Sequence, residues 1–344
     1  MRLSYLDFRP ALAEPAALAP SAVVAGRTTT GPGLMLAEYA TLRADGEAIR
    51  VGANAWFGRR ATVHIADSVY AAVMGDDVTI GRYGLVHACT LGDGVVVADA
   101  ATVMDGAIVG ANALIMPGAV VPPRKTLAGG IVYAGSPAAP VRSIARDELA
   151  RYHAALRMGT ALESDADAHL PSLAQPVPLS GVARPARHSA TFVAPTAALA
   201  GLVEMAEDAG IYFACVIDAG DARVALGART NVQDNSFLVT DRRRGDLVIG
   251  DDVTIGHNVR MGSGTVGNRA LVGMGAIVGD NVVVEDGACI GAGAHVEAAT
   301  RVPAGWIYAG RPARPFRELK PAERDGFADI ITVYAHYSAV YRRG

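Results

Sequence analysis

The sequence predicts a mainly β fold of two parallel β-helices in tandem, each followed by a C-terminal α-helix. Two observations support this prediction. The halves of the chain repeat each other, because residues 75–81 and residues 250–256 both read GDDVTIG and lie 175 positions apart. Within each half, an aliphatic residue recurs every six positions among the 39 glycines of the chain. Repeats at two nested periods are typical of stacked repeat architectures.

The six-residue period is clearest from residue 249, where the chain reads IGDDVT, IGHNVR and MGSGTV in succession. A helix repeats every 3.6 residues and a strand every two, so neither alone explains the pattern. Six residues are enough for one short strand and a tight turn. Three such units close a triangular coil, and stacked coils bury a column of aliphatic side chains. Glycine, Asn and Asp at the corners permit the turn dihedral angles.

The repeat also sets the domain organisation. We expect a first β-helix domain over residues 1–158, a linker over 159–189 and a second β-helix domain over 190–344. Spacing and composition predict the closing helices over 142–158 and 321–342. The prolines of the segment between the domains are typical of a linker.

Composition excludes several classes of function. No apolar run approaches the ~18 residues of a membrane span, and the N-terminus MRLSYLDFRP lacks the apolar stretch of a signal peptide. We therefore expect a cytoplasmic protein that contacts no membrane. A net charge of −3 gives no reason to expect nucleic acid. Lys125 and Lys320 are the only lysines, which disfavours a lysine nucleophile.

The second half carries GARTNVQDN at residues 227–235 and TIGH at residues 254–257. These motifs resemble the γ-class carbonic anhydrases, a family of left-handed hexapeptide-repeat β-helices. The resemblance covers roughly residues 21–156 and 196–343. It implies rings of three β-helix domains, and hence a homo-oligomer. It also implies zinc bound by two histidines of one domain and one of its neighbour.

The first half keeps one face of that family site. His64 and His87 stand at the positions of two zinc-binding histidines, whereas Arg82 replaces the third. Arg43 and Asp45 keep the arginine and aspartate of the family pattern. With six residues on each side of a coil, both histidines follow a core aliphatic residue on one side, and Arg43 falls on that side too. We interpret this side as a complete two-histidine face.

The second half keeps the opposing face. His257 stands at the third histidine position, and Gln233 and Asp234 lie on the same side of the coil. Val239 and Gly262 replace the other two histidines. Because random loss would not divide the parts so cleanly, we infer one composite site formed where a first domain meets a second.

The composite set suits a zinc enzyme. Three imidazoles hold Zn²⁺ and leave one position open, and the metal lowers the pKa of a bound water to about 7. We predict His64, His87 and His257 as metal ligands, with Fe²⁺ or Co²⁺ as alternative metals. The resemblance implies that Gln233 and Asp234 orient substrate or a histidine, and that Arg43 and Asp45 form an interface ion pair.

The leading functional prediction is reversible hydration of CO2, the reaction of a carbonate dehydratase acting on CO2 and bicarbonate. One alternative is hydrolysis or transfer of a small acyl thioester of CoA, and another is an inactive scaffold subunit. The other histidines are expected at the surface and the cysteines as small buried residues. These are His153, His169, His188, His295 and His336, and Cys89, Cys215 and Cys289.

Overall fold

The computed structural model describes residues 1–159 and 186–343. The chain separates into two compact units, Met1–Ala174 and Gln175–Gly344. Each unit contains a parallel β-helix followed by an α-helix, so the predicted fold class is confirmed. Most of the predicted linker, including His169, lies outside the described residues. At the C-terminal end of the predicted linker, residues 186–187 form a short strand that pairs with a strand of the second β-helix.

The first unit is built from very short strands. Its elements are β1 Arg2–Leu3, β2 Ala11–Leu12, β3 Ala16–Leu18, β4 Val23–Thr30, β5 Leu34–Leu36, β6 Thr41–Val51, β7 Trp56–Phe57, β8 Thr62–His64, β9 Ala72–Met74, β10 Thr79–Ile80, β11 Leu85–His87, β12 Thr90–Leu91, β13 Val96–Val97, β14 Thr102–Val103, β15 Ile108–Val109, β16 Leu114–Ile115, β17 Val120–Val121, β18 Thr126–Leu127, β19 Ile131–Ala134, β20 Ala139–Ser143 and α1 Arg146–Arg157.

The second unit repeats this arrangement. Its elements are β21 Ala186–Arg187, β22 Phe192–Val193, β23 Ala198–Met205, β24 Gly210–Ile211, β25 Val216–Leu226, β26 Asn231–Val232, β27 Phe237–Val239, β28 Leu247–Ile249, β29 Thr254–Ile255, β30 Arg260–Met261, β31 Gly264–Val266, β32 Leu271–Val272, β33 Ile277–Val278, β34 Val282–Val284, β35 Cys289–Ile290, β36 His295–Val296, β37 Arg301–Val302, β38 Trp306–Ala309, β39 Arg314–Glu318 and α2 Pro321–Tyr341.

Each β-helix has three sides of parallel strands. In the first unit, side one runs β6-β8-β11-β14-β17 and side two runs β6-β9-β12-β15-β18. Side three runs β3-β5-β7-β10-β13-β16-β19. The long strand β6 belongs to sides one and two because it turns a corner without leaving the extended conformation. In the second unit, β25 plays the same part as β6. Side one continues through β27, β30, β33 and β36, and side three runs β22-β24-β26-β29-β32-β35-β38.

The core is a set of stacked aliphatic columns, as the six-residue period predicts. On side one of the first unit, Leu42, Val63, Val86, Val103 and Val121 pair in register from coil to coil. All five are fully buried. Burying each such side chain stabilises the fold by about 1.5–3 kcal/mol. Because each column holds one residue per coil, it also fixes the register of every residue beside it.

The corners explain the polar residues of the repeat. In both copies of GDDVTIG the second aspartate, Asp77 or Asp252, has a positive φ, 55° and 57° respectively. Asp and Asn tolerate this left-handed conformation better than most residues because their short side chains hydrogen-bond to the local backbone. The repeat therefore encodes both the column and the turn.

The helices differ from prediction at one end. Helix α2 matches the predicted 321–342 to within one residue, but α1 begins at Arg146 rather than at residue 142. Residues 139–143 form β20 instead, which pairs antiparallel with β19. Arg142 and Ser143 pair with Val132 and Ile131 of β19, so their backbone is extended rather than helical. In the described residues, neither helix has the length and apolarity required to cross a membrane.

Helix α1 docks on side three of the first unit through a small apolar cluster. Leu149 and Leu156 are its buried residues. They pack against Val96, Leu114 and Val132, which side three turns outward from the main core. Each end of the helix is therefore held by one leucine.

A histidine supports the same docking. His153 was expected at the surface, but it is half-buried, and its Nδ1 lies 2.7 Å from the Thr79 hydroxyl. Its Nε2 lies 3.3 Å from the Gly94 carbonyl oxygen, which can only accept. Nε2 therefore carries the proton and Nδ1 accepts from Thr79. Burial, reinforced by the charge of Arg157, lowers the pKa of His153 from its ordinary value of 6.5.

A lowered pKa makes the docking of α1 sensitive to acid. The folded state favours neutral His153, so its contribution is complete above pH 6.5 and is lost as pH falls through the lowered folded pKa. We predict that amides of α1 lose hydrogen-exchange protection between pH 7.5 and about 5 after correction for intrinsic rates. The variant His153→Gln should be less protected at pH 7.5 and show no such loss. An identical pH dependence in this variant would contradict the assignment.

Candidate functional site

The two-histidine face predicted for the first unit is present. His64 and His87 end strands β8 and β11, and the parallel pairing of these strands places them in register. Arg43 of β6 pairs in register with His64 on the preceding coil. All three residues are buried. The stacking of the core places these three side chains on one side, because each comes directly after a residue of the aliphatic column.

The geometry of the two imidazoles suits a shared metal ion. Nδ1 of His64 lies 3.1 Å from Nε2 of His87, and the ring planes are inclined by 49°. Two nitrogen ligands at ~2.0–2.1 Å from a tetrahedral Zn²⁺ lie about 3.3 Å apart. The observed separation is close to that value, so the donors fit one metal without rearrangement of the backbone.

A carboxylate orients one of these rings. Asp105, two residues after β14 on the next coil, places Oδ1 2.5 Å from Nδ1 of His87. The carboxylate accepts a hydrogen bond, which puts the ring proton on Nδ1 and leaves the Nε2 lone pair on the side of His64. Metal-binding histidines commonly have such a partner. Sequence reasoning missed Asp105, although the second half retains the aspartate as Asp280.

The arginine and aspartate of the family pattern form a buried ion pair. A guanidinium nitrogen of Arg43 contacts Oδ2 of Asp45, and both side chains are fully buried. The same carboxylate oxygen lies 3.9 Å from Nε2 of His64. Since a buried charge is costly unless it is paired, each partner compensates the other, and Asp45 also places negative charge beside the histidine.

Arg82 does not offer a metal ligand. It follows β10 on side three, and its Nε donates to Oδ2 of Asp99 at 2.9 Å. Its backbone amide donates to the other oxygen of Asp99 at 2.6 Å. The guanidinium is thus held against the next coil of its own unit. A positive charge tethered there is incompatible with a cation at the third histidine position.

The second unit presents a single oriented imidazole at this position. His257 follows β29 on side three and is fully buried. Oδ2 of Asp234, on the preceding coil, lies 3.2 Å from its Nδ1. Oδ1 of Asp234 accepts a hydrogen bond from the backbone amide of Phe213 at 2.9 Å. The carboxylate favours a proton on Nδ1, so Nε2 is the nitrogen with the lone pair.

Helix α2 contributes a residue that the sequence analysis did not single out. The hydroxyl of Tyr334 lies 3.2 Å from Nε2 of His257. The hydroxyl of Tyr212 donates to the Tyr334 carbonyl at 2.7 Å and also contacts Ser338, which anchors this turn of the helix. The first unit has no counterpart, because α1 has 12 residues and α2 has 21. In the sequence, the greater predicted length of the second helix was the signal that α2 extends further along its β-helix than α1 does.

Gln233 belongs to a polar ladder on the same side. Its Nε2 donates to Oδ1 of Asn231 at 3.2 Å, and Nδ2 of Asn231 donates to the Thr254 hydroxyl at 3.1 Å. The carboxamide of Gln233 is therefore fixed in orientation. At the ends of β27 and after β30, Val239 and Gly262 supply no ligand atom.

The cysteines are buried and free in the described residues, as predicted. Burial, followed by the charge of Asp105, raises the pKa of the Cys89 thiol. A protonated thiol is a poor metal ligand, so Cys89 is a core residue despite its position two residues after His87. Of the other histidines predicted at the surface, His188 and His336 are exposed and His295 is half-buried.

Parallel β-helices of stacked six-residue repeats define a hexapeptide-repeat protein, and its buried histidines form a candidate metal site. Gamma carbonic anhydrase 1, mitochondrial, of Arabidopsis thaliana is 34% identical over 153 residues, 43% of this chain and 56% of the relative. Protein YrdA of Escherichia coli is 35% identical over 158 residues, 44% of this chain and 86% of the relative. The chain belongs to the γ-carbonic anhydrase-like hexapeptide-repeat family.

Further comparisons set the extent of this likeness. The chain spans little more than half the length of the mitochondrial carbonic anhydrases that it matches. A crystal structure of a hexapeptide transferase family protein from Anaplasma phagocytophilum is 35% identical, covers 46% of this chain and 92% of its own, and has a TM-score of 0.44. No family model matches the chain.

The contact between Tyr334 and His257 predicts a measurable stability effect. Removing a buried hydrogen bond costs about 1 kcal/mol, so Tyr334→Phe should lower the denaturant midpoint of the second unit. Tyr308→Phe is the matched control, because the Tyr308 hydroxyl makes no hydrogen bond within the described residues. Equal midpoints for the two variants in chemical denaturation would contradict the contact.

Proposed function

We propose that this chain is a γ-carbonic anhydrase-like metalloprotein that hydrates CO2 reversibly at one composite site, with His64, His87 and His257 as metal ligands. The observation that supports the proposal best is the pair of imidazole nitrogens of His64 and His87, 3.1 Å apart on one buried face. Two imidazoles leave Zn²⁺ short of the three protein ligands typical of catalytic sites. His257 supplies the third.

The complementary losses support a site made from both units. The first unit lacks the third imidazole because Arg82 stands there in an ion pair with Asp99. The second unit has His257 but Val239 and Gly262 at the other two positions. Three like units in a ring could not assemble three imidazoles, whereas a first unit beside a second could. The two units come either from one chain or from neighbouring chains of a homo-oligomeric ring of three β-helix domains.

The donor set fits a borderline metal such as zinc, with Fe²⁺ or Co²⁺ also compatible with imidazole. When bound, the metal supplies Lewis acidity that makes a hydroxide nucleophile available near neutral pH. Asp105 and Asp234 face Nδ1 of His87 and of His257, so Nε2 is the ligating nitrogen of each ring. Nε2 of His257 binds the metal when the Tyr334 hydroxyl releases its contact with that nitrogen. The fixed carboxamide of Gln233 orients CO2 or bicarbonate, and the pair of Arg43 and Asp45 holds His64 in place.

Metal content tests the ligand set directly. The full chain purified after growth with zinc should hold at most one metal ion per chain by elemental analysis. We predict that His257→Ala loses most of this metal and abolishes CO2 hydration in stopped-flow assays, because two ligands hold Zn²⁺ poorly. His336→Ala, which removes an exposed histidine of α2, should keep both. Full occupancy in His257→Ala would refute the composite site.

The role of Asp105 has its own test. Asp105→Asn should weaken zinc binding about 10- to 100-fold, because the ring of His87 loses its orienting partner. The measurement is a competition titration with a chelator. Asp280→Asn is the matched control, since Asp280 occupies the same place in the second unit, where its carboxylate accepts from the Ser263 amide rather than from a histidine. Equal affinities for both variants would contradict the assigned role.

A further inference from the structure

A groove distinct from the histidine site lies in the second unit, between the first turns of α2 and the neighbouring coils. Its volume is about 280 Å³. Arginine side chains and glycine backbone dominate its lining. The residues that line it include Arg269, Asp286, Gly287, Gly305, Arg324 and Phe327.

In the first unit, an apolar side chain occupies the position that corresponds to Arg324. The counterpart of Arg324, 175 positions earlier, is Leu149, which is buried against Val96 and Leu114. The counterpart of Arg269 is Gly94. In α2, the buried residues begin only at Ile331. The second unit has therefore replaced helix-docking contacts with two guanidinium groups.

Arg269 and Arg324 differ from the arginines of the second unit that form ion pairs. Several arginines of the second unit are paired with Asp or Glu: Arg223, Arg229, Arg244, Arg301, Arg314, Arg317 and Arg342. Neither Arg269 nor Arg324 has an ion-pair partner among the described residues. The nearby Asp286 is engaged through Oδ1 with the backbone amide of Asn268 at 2.9 Å.

The floor of the groove is shaped for close approach. Gly305 has a positive φ of 74°, and a Cβ there would lie 2.9 Å from Nη2 of Arg324. The guanidinium therefore rests directly on bare backbone. Phe327 is half-buried beside it and offers an apolar surface. A ligand with its anionic group between the two arginines would place a short carbon chain against the ring of Phe327.

We propose that this groove binds a small phosphomonoester, with the phosphate held between Arg269 and Arg324. Guanidinium groups match phosphate oxygens with paired, charge-assisted hydrogen bonds. The volume of about 280 Å³ lies just below the range for small-molecule sites, ~300–1,000 Å³, which fits a short phosphorylated polyol rather than a nucleotide. The carboxylate of Asp286 at the rim accepts from a hydroxyl group of such a ligand.

Calorimetric titration of the full chain with glycerol phosphate tests the proposal. We expect saturable binding at one site per chain, with weaker binding of inorganic phosphate because it lacks the polyol. Arg324→Leu introduces the residue that the first unit already carries at this place, so folding should be retained and is checked by thermal denaturation. This variant and Arg269→Gly should each lose affinity at least about tenfold, since each removes a charge-assisted contact.

Arg243→Ala is the control, because it removes an exposed arginine from a loop outside the groove. It should leave the affinity unchanged. Absence of saturable binding, unchanged affinity in Arg324→Leu, or an equal loss in Arg243→Ala would each overturn the proposal. Tighter binding of inorganic phosphate than of glycerol phosphate would overturn the assignment of a polyol ester. Metal content is a separate readout, because no proposed metal ligand lines the groove.

Discussion

The structure depends on the register of its aliphatic columns. Each coil contributes one residue to each column, so a shift by a single residue would turn core side chains outward and polar ones inward. Fixing this register fixes the neighbours of the columns as well. The candidate site residues of side one are such neighbours, because Arg43, His64 and His87 each come directly after a residue of the side-one column. The site is therefore a consequence of how the core stacks.

Duplication allowed the two units to diverge without loss of this framework. The column positions remain apolar in both units, whereas the side chains beside them differ in charge and size. The third-histidine position holds an arginine that binds Asp99 in the first unit and an imidazole that faces Asp234 in the second. The closing helices diverged in the same way. Helix α1 docks through leucines at both ends, and α2 is anchored by its second half, where Tyr334 reaches His257.

Periodic features could be predicted from the sequence because they are local. The six-residue period gave the coils, and its phase placed His64 beside His87. Contacts set by tertiary packing could not be predicted this way. Asp105 reaches His87 from the next coil, and His153 is drawn from the surface by its hydrogen bond to Thr79. The start of α1 was misplaced because arginine and alanine favour a helix, while pairing with β19 holds residues 139–143 in a strand.

In the proposed site, three imidazoles surround a single metal ion, two from a first unit and one from a second. X-ray absorption at the zinc edge of the purified full chain tests it most directly, because the spectrum reports the number and type of ligating atoms. The composite site predicts three imidazole nitrogens and one oxygen ligand at ~2.0–2.1 Å, with no sulfur. A spectrum with only two imidazoles that is unchanged by His257→Ala, or one with sulfur at ~2.3 Å, would contradict it.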